Sequence, residues 1–82
     1  MRVDTTKLRL EWETDSDGNW VASETDDYGR EIELGAYEHG FTLRSGSLYL
    51  EIDADDLQKS MEMAERMVAI LDRVNELAKE PA

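Results

Sequence analysis

The sequence predicts an α+β fold: an antiparallel β-meander of four to five strands, followed by one long C-terminal α-helix packed on one face. Three observations predict it. Between about residues 6 and 52, apolar and polar side chains alternate with a period of two in several short segments. Residues with turn chemistry, chiefly Gly, Asn, Asp and Ser, separate these segments. From about residue 54 to residue 79 the apolar spacing changes to the period of a helix.

The first two strands are predicted in the N-terminal third of the chain. Residues 6–13 alternate cleanly, and their apolar members are Leu8, Leu10 and Trp12. Residues 15–19 are a predicted turn, because Gly and Asn accept a positive φ and Asp bonds to the backbone that follows it. Residues 20–25 form a second strand with a less regular pattern, and residues 26–29 form the next turn.

Three further strands are predicted before the helix. Residues 31–34 alternate, and residues 35–40, with a glycine at each end, are predicted to form a loop. The clearest hairpin joins residues 41–44 to residues 48–52 through a Ser-Gly turn. One face of the sheet is then apolar and the other polar, as is common for antiparallel sheets. The apolar face contains Leu8, Leu10, Trp12, Ile32, Leu34, Phe41, Leu43, Leu48, Leu50 and Ile52.

The helix is predicted from about residue 54 to residue 79. Asp53 suits the N-cap position, and Asp56, three residues later, completes an approximate capping box. Carboxylates at this end also suit the positive pole of the helix dipole. Nothing within the segment breaks a helix, and Pro81 ends it.

Two apolar stripes run along the predicted helix. The first stripe contains Leu57, Met61, Ala64, Val68 and Leu71, and the second stripe contains Met63, Met67, Ile70, Val74 and Leu77. At about 100° per residue their centres lie about 120° apart, so together they form an apolar arc of about 200°. A helix that lies on one sheet needs an arc of only ~100°. The second stripe therefore needs an additional apolar cover.

Three arrangements would cover the second stripe. The sheet could curve enough to contact both sides of the helix, the helix could pair with its copy in a homodimer, or it could dock on a different protein. Five exposed side chains of this kind forgo ~1.5–3 kcal/mol each if they could be fully buried. Methionines at three of the stripe positions suit an adaptable interface, although methionine also fills cores. We expect a homodimer, with the other two arrangements as alternatives.

The chain is strongly acidic, with a formal net charge of −11. Residues 11–33 contain nine acids and one arginine, whereas residues 34–50 are balanced. Direct binding to nucleic acid is disfavoured, because phosphate backbones are bound by basic clusters. A partner protein with a basic surface would instead be attracted, with fast association at low salt.

We predict that the acidic residues of the N-terminal half form one partner-binding surface. They are Glu11, Glu13, Asp15, Asp17, Glu24, Asp26, Asp27, Glu31 and Glu33. In size and charge alone the chain resembles phage or mobile-element accessory proteins, including inhibitors that imitate the charge of DNA. This resemblance implies a small, non-enzymatic protein-binding domain. Adaptation to a salt-rich habitat is an alternative, since only three of the nine basic residues are lysines.

A metal-binding motif lies in residues 13–24, which fit the pattern Glu-x-Asp-x-Asp-Gly-x5-Glu. It resembles the calcium loop of EF-hand proteins, and the resemblance implies calcium binding by Asp15, Asp17 and Glu24. The segment departs from that family in two ways. Glu13 stands where the family has Asp, and strands rather than helices flank the loop. A hairpin turn in an acid-rich chain is the alternative.

No catalytic site, cofactor site or membrane segment is predicted. His39, the single histidine, lies beside Glu38, but no nucleophile is placed near it by a known motif. The chain has no cysteine, which excludes disulfides and thiolate metal sites. It has no run of ~20 apolar residues and no apolar signal core at its N-terminus. We therefore expect one cytoplasmic, non-enzymatic domain over residues 1–82, with Tyr28, Tyr37 and Tyr49 as candidate partner contacts.

Overall fold

The computed structural model describes residues 3–25 and 29–79 and confirms the α+β fold. Five strands form one antiparallel sheet in chain order: β1 (Glu13–Thr14), β2 (Trp20–Thr25), β3 (Glu31–Tyr37), β4 (Gly40–Ser45) and β5 (Leu48–Asp53). One helix follows, α1 (Leu57–Lys79), and it packs against β3 and β4. The face of the sheet beneath the helix is called the inner face below, and the opposite face is called the outer face.

The core lies between the inner face and the first stripe of the helix. In the strand register Leu34 lies between Ala22 and Leu43, so apolar side chains from three neighbouring strands point the same way. The buried members are Ala22, Ile32, Leu34, Ala36, Phe41 and Leu43 from the sheet and Met61, Ala64 and Val68 from the helix. The predicted apolar face is therefore confirmed for β3 and β4. In these two strands the period-two alternation of the sequence corresponds to paired strands.

The predicted strand over residues 6–13 is wrong for most of its length. Thr5–Lys7 is a 3₁₀ turn, and β1 contains only Glu13–Thr14. The intervening segment is not paired with a strand, because the backbone N–H groups of Arg9 and Leu10 donate to the carboxylate of Glu65 on the helix. Alternating burial requires an extended backbone with one face covered. It does not reveal which group accepts the backbone hydrogen bonds.

The predicted loop over residues 35–40 is also wrong, because β3 continues to Tyr37 and β4 begins at Gly40. Only two residues, Glu38 and His39, form the turn. A Cβ atom at Gly40 would collide with the carbonyl oxygen of Ile52 on β5. This glycine is therefore required by the close approach of a neighbouring strand and not by a loop.

The hairpin between β4 and β5 is confirmed. Ser45 pairs with Leu48, which leaves a two-residue loop whose first residue, Gly46, has φ +61°. A glycine with positive φ at this position is typical of a type II′ hairpin, whose twist matches that of the flanking strands. This turn makes β5 the last strand of the sheet.

The helix begins three residues later than predicted. Asp53 is the last residue of β5 and pairs with Gly40, so it does not cap the helix. Asp56 does: its Oδ1 accepts a 2.8 Å hydrogen bond from the N–H of Lys59. From Leu57 the helix extends about 35 Å, whereas a six-residue strand extends only about 20 Å. Its C-terminal turns therefore project beyond the sheet. Within the described part of the chain, no helix combines the length and the apolar character that crossing a membrane requires.

Candidate functional site: an acidic groove and the two flanks of the helix

The outer face of the sheet carries a groove with a volume of about 580 Å³. Its floor is made of short side chains on adjacent strands, because Val21 pairs with Gly35 and Gly35 pairs with Thr42. A Cβ atom at Gly35 would lie 3.0 Å from the hydroxyl of Tyr37, so a glycine keeps this floor low. The strand register therefore creates a shallow depression on the side away from the helix.

Four glutamates line this groove, which is called the glutamate groove below: Glu11, Glu13, Glu31 and Glu33. All four are exposed. They belong to the predicted acidic surface, and the pairing of β1, β2 and β3 brings them together although they are separated along the chain. The combined negative potential of four neighbouring carboxylates is the dominant electrostatic property of this face.

The other predicted acidic residues that the structure describes do not join them. Asp15 and Asp17 lie in the turn between β1 and β2. Glu24 pairs with Ile32 and so lies on the inner face, where its Oε2 atom is buried and has no hydrogen-bond partner among the described residues. The alternation contained this signal, because Glu24 is in phase with Trp20 and Ala22. Asp26 and Asp27, with Tyr28, lie outside the described residues.

The opposite wall of the groove is aromatic and contains one cation. Tyr37 and Tyr49 are both exposed, at 42% and 50%. The hydroxyl of Tyr49 donates a 2.8 Å hydrogen bond to Oε1 of Glu51, which raises the pKa of Tyr49. The guanidinium carbon of Arg44 lies 5.7 Å from the centre of the Tyr49 ring. This wall accommodates a guanidinium beside an aromatic ring and a carboxylate.

The geometry of the turn does not bring the predicted calcium ligands Asp15, Asp17 and Glu24 together. Oδ1 of Asp15 accepts 2.9 Å hydrogen bonds from the N–H groups of Asp17 and Asn19, so it stabilises the hairpin. Glu24 lies at the far end of β2, roughly 15 Å from the turn along an extended strand. Among the described residues, no group of three or more acidic or histidine side chains is placed to hold a metal ion. His39 is exposed in the turn between β3 and β4.

The helix has two flanks beside the first stripe, and the second stripe occupies one of them. Met63 and Met67 are partly buried and pack against the core. Beyond them Ile70, Val74 and Leu77 are 50–54% exposed. The sheet therefore covers the beginning of the second stripe and leaves its C-terminal part open.

The other flank is covered by residues 3–12, called the N-terminal segment below, and Glu65 holds it there. Glu65 is only 6% exposed. Its carboxylate accepts hydrogen bonds from the N–H groups of Arg9 and Leu10 and from Nε1 of Trp12, at 2.7–3.0 Å. Burial, the largest single influence, raises the pKa of Glu65, but these three donors together outweigh it and leave the pKa below its usual range.

A second contact between the N-terminal segment and the helix lies two helical turns before Glu65. Oε1 of Gln58 accepts a 2.7 Å hydrogen bond from the N–H of Asp4, and Nε2 of Gln58 donates to the carbonyl oxygen of Asp4. Glu65 belongs to neither apolar stripe, so the sequence pattern predicts it on the polar surface of the helix. A residue in contact with a segment more than fifty positions away leaves no local signal, so only the fold reveals this role.

Comparisons with known proteins add no relative: no family model, no curated protein and no solved structure matches this chain. The functional interpretation therefore rests on the groove, the helix flanks and the charges described above.

Proposed function

We propose that the chain is a small, non-enzymatic protein-binding domain whose glutamate groove binds a basic segment of a partner protein. One observation carries the proposal. The register of β1, β2 and β3 gathers Glu11, Glu13, Glu31 and Glu33 around one groove on the exposed face of the sheet. Four like charges around one groove are electrostatically unfavourable in the free protein. A cationic partner would relieve that repulsion.

The chemistry of the groove fits lysine and arginine side chains. Carboxylates form charge-assisted hydrogen bonds with both, and exposed tyrosine rings stack against guanidinium groups. Arg44, beside Tyr49, occupies such an environment within the protein itself. Phosphates would be repelled, so nucleic acid is not proposed as a direct ligand.

This function fits an accessory protein or inhibitor that presents DNA-like charge to a nucleic-acid-binding protein, as in phages and mobile elements. A cytoplasmic location is part of the same proposal. Both statements rest on charge and size, and the host in which the chain occurs would be the cheapest observation that bears on them.

Charge-neutral variants of the groove test the proposal. Glu11, Glu13, Glu31 and Glu33 are changed together to Gln, and a matched control changes Glu38 and Glu76 to Gln and Asp55 and Asp72 to Asn. Both variants remove four negative charges, but only the first empties the groove of carboxylates. The binding probe is a panel of Arg- and Lys-containing peptides, measured by NMR titration, together with capture of partners from the native host.

We expect the groove variant to lose peptide binding and partner capture, and the control to keep both. Association by the parent chain should also slow as salt is added, because electrostatic steering is screened. Equal losses in the two variants would show that net charge alone, and not the groove, attracts the partner.

A structural or assembly module is the second candidate function. The specific observation in its favour is the exposure of Ile70, Val74 and Leu77 at the projecting end of the helix. In this proposal the second stripe, Met63, Met67, Ile70, Val74 and Leu77, associates with the same stripe of another copy. Sedimentation of a Val74→Glu variant tests it, since a charge within the helix–helix interface should dissociate the dimer into monomers.

A further inference from the structure

Strand β5 forms a free edge of the sheet. The strand order places it last, and no other described strand pairs with its free side. The closing pair of a two-residue hairpin, here Ser45 and Leu48, is hydrogen-bonded, and bonding then alternates along the ladder. The N–H and C=O groups of Tyr49, Glu51 and Asp53 consequently point away from β4 and toward solvent.

This edge has few of the features that usually prevent edge-to-edge pairing, and the charged side chains of residues 48–53 are Glu51 and Asp53. Residues 48–53 contain no Pro, no Lys and no glycine, and all six pair with β4 without a bulge. The opposite edge differs, because β1 has only two residues and the chain before it leaves the sheet to contact the helix. The sheet thus has one long, regular, unprotected edge.

We propose that β5 pairs antiparallel with β5 of a second copy around a two-fold axis at Leu50, which joins two five-stranded sheets into one of ten strands. This inference concerns a different surface from the glutamate groove and does not depend on the function proposed for it. The partner is a second copy because the strand is complementary to itself in one particular register.

In that register Leu50 faces Leu50 of the other copy, and Leu48 faces Ile52. All of these side chains lie on the inner face, where Leu50 and Ile52 pack against the hydrophobic core and Leu48 is 39% exposed. On the outer face Tyr49 lies opposite Glu51, so a tyrosine hydroxyl meets a carboxylate twice across the axis. Cross-strand pairs of these kinds stabilise antiparallel sheets.

The neighbouring registers are less favourable. A shift in one direction places Glu51 opposite Glu51 of the other copy, and directly opposed like charges destabilise a sheet. A shift in the other direction places Ile52 opposite Gly46 and reduces the three apolar pairs to two. A shift of a single residue would point inner-face side chains of one copy toward the outer face of the other.

The charge distribution also favours this edge. Seven described acids between residues 11 and 33 lie in or beside β1, β2 and the start of β3, at the far side of the sheet. The segment 46–54 contributes only Glu51 and Asp53. Pairing through β5 therefore keeps the strongly acidic regions of the two copies apart, where ions screen their repulsion.

The pairing differs from association through the second stripe of the helix. Each helix lies over β3 and β4, so about four strand spacings, or about 19 Å, separate the two helix axes in the joined sheet. Helices in contact are closer, at ~8–10 Å. The two helices would share one side of the joined sheet, and both glutamate grooves would share the other.

Three variants test the pairing. Tyr49→Glu places a carboxylate opposite Glu51 of the other copy. Tyr37→Glu is the matched control: it makes the same substitution at a similarly exposed outer-face position, but on the central strand β3. Glu51→Lys provides the complement, since mixing a Tyr49→Glu chain with a Glu51→Lys chain brings the introduced carboxylate of one copy opposite the introduced ammonium group of the other.

We expect the parent chain and Tyr37→Glu to sediment as dimers at ~100 μM. Tyr49→Glu should have a dimer dissociation constant at least about tenfold weaker, from two opposed carboxylate pairs. The mixture should form a heterodimer, and hydrogen exchange should show protection of the Tyr49 and Glu51 amides in the parent. Circular dichroism confirms that each variant is folded. A monomeric parent, equal effects of the two Tyr→Glu variants, or a dimer dissociated by Val74→Glu and not by Tyr49→Glu would overturn the proposal.

Discussion

At the scale of single residues, Glu65 stabilises the contact between the N-terminal segment and the helix. It is a buried carboxylate with three N–H donors, and through them it attaches the N-terminal segment to the helix. A carboxylate satisfied in this way is stable only while all its donors remain in place, because the charge would otherwise be buried without partners. The segment that it holds also covers part of the core with Leu10 and Trp12.

We expect Glu65→Gln to destabilise the protein by about 2–4 kcal/mol, because one of the two acceptor oxygens becomes an NH₂ donor facing backbone N–H groups. Denaturant unfolding measures the loss, and Trp12 fluorescence should report a more solvated indole. Glu76→Gln, at an exposed position of the same helix, is the control and should change stability by less than about 0.5 kcal/mol. Equal stability of the two variants would contradict the role given to Glu65.

The same residue predicts a pH dependence. The folded-state pKa of Glu65 is lowered, so its contribution to stability is complete above the unfolded-state pKa, close to 4.5, and is lost as pH falls through the lower folded-state pKa. The difference in unfolding free energy between the parent and Glu65→Gln should be constant above about pH 5 and should shrink below it. A difference that stays constant down to about pH 3 would contradict this prediction.

Two glycines within the sheet should respond differently to alanine. At Gly40 the new Cβ would meet the backbone carbonyl of Ile52, which cannot move without breaking the ladder, so we expect Gly40→Ala to cost more than about 2 kcal/mol. At Gly35 the obstacles are the hydroxyl of Tyr37 at 3.0 Å and Oγ1 of Thr42 at 3.1 Å, both side-chain atoms that need to shift by only a few tenths of an ångström, so Gly35→Ala should stay within about 1 kcal/mol of the parent. Thermal unfolding compares the two, and the reverse order would refute the assignment of Gly40 to a close strand contact.

At the scale of elements, the structure separates the residue that ends β5 from the residue that begins the helix. Both are aspartates in a run rich in Asp, and both suit an N-cap by type. The ladder between β4 and β5 extends to Asp53, which leaves Asp56 to accept the hydrogen bond from Lys59. The start of the helix is thus decided by the residue at which the preceding strand ends.

We therefore expect Asp56→Ala to cost about 1 kcal/mol, the usual value of a lost N-cap. Asp53→Ala should cost less than about 0.5 kcal/mol, because its side chain caps nothing in the helix. Denaturant unfolding of the two single variants distinguishes them, since the pattern read from sequence alone implies the opposite order.

At the scale of the whole molecule, charge is distributed unevenly around the sheet. Helix α1 contains four acids and four bases and is neutral overall, whereas residues 11–33 have a net charge of −8 from nine acids and one arginine. The glutamate groove concentrates part of this excess on one face. Self-repulsion of this excess charge lowers the stability of the free protein.

We expect added salt to raise the unfolding free energy of the parent chain, because ions screen this repulsion. The groove variant with all four Glu→Gln changes should be more stable than the parent at low salt, by about 1 kcal/mol, and its unfolding free energy should depend less on salt. The matched control, with its four changes dispersed over the surface, should show smaller shifts in both. Identical salt responses would favour a general adaptation to a salt-rich habitat over a specific acidic surface.

The sequence by itself determined the fold class, the hairpin at Gly46, the apolar inner face of the central strands and the outward position of four groove glutamates. These features depend on local periodicity and turn chemistry, which a chain carries in any context. Only the tertiary structure decided that the N-terminal segment binds the helix, that Glu65 is buried and that β5 forms an open edge. The physical reason is that a hydrogen-bond partner or a covering surface can come from anywhere in the chain, and alternation records only that some cover exists.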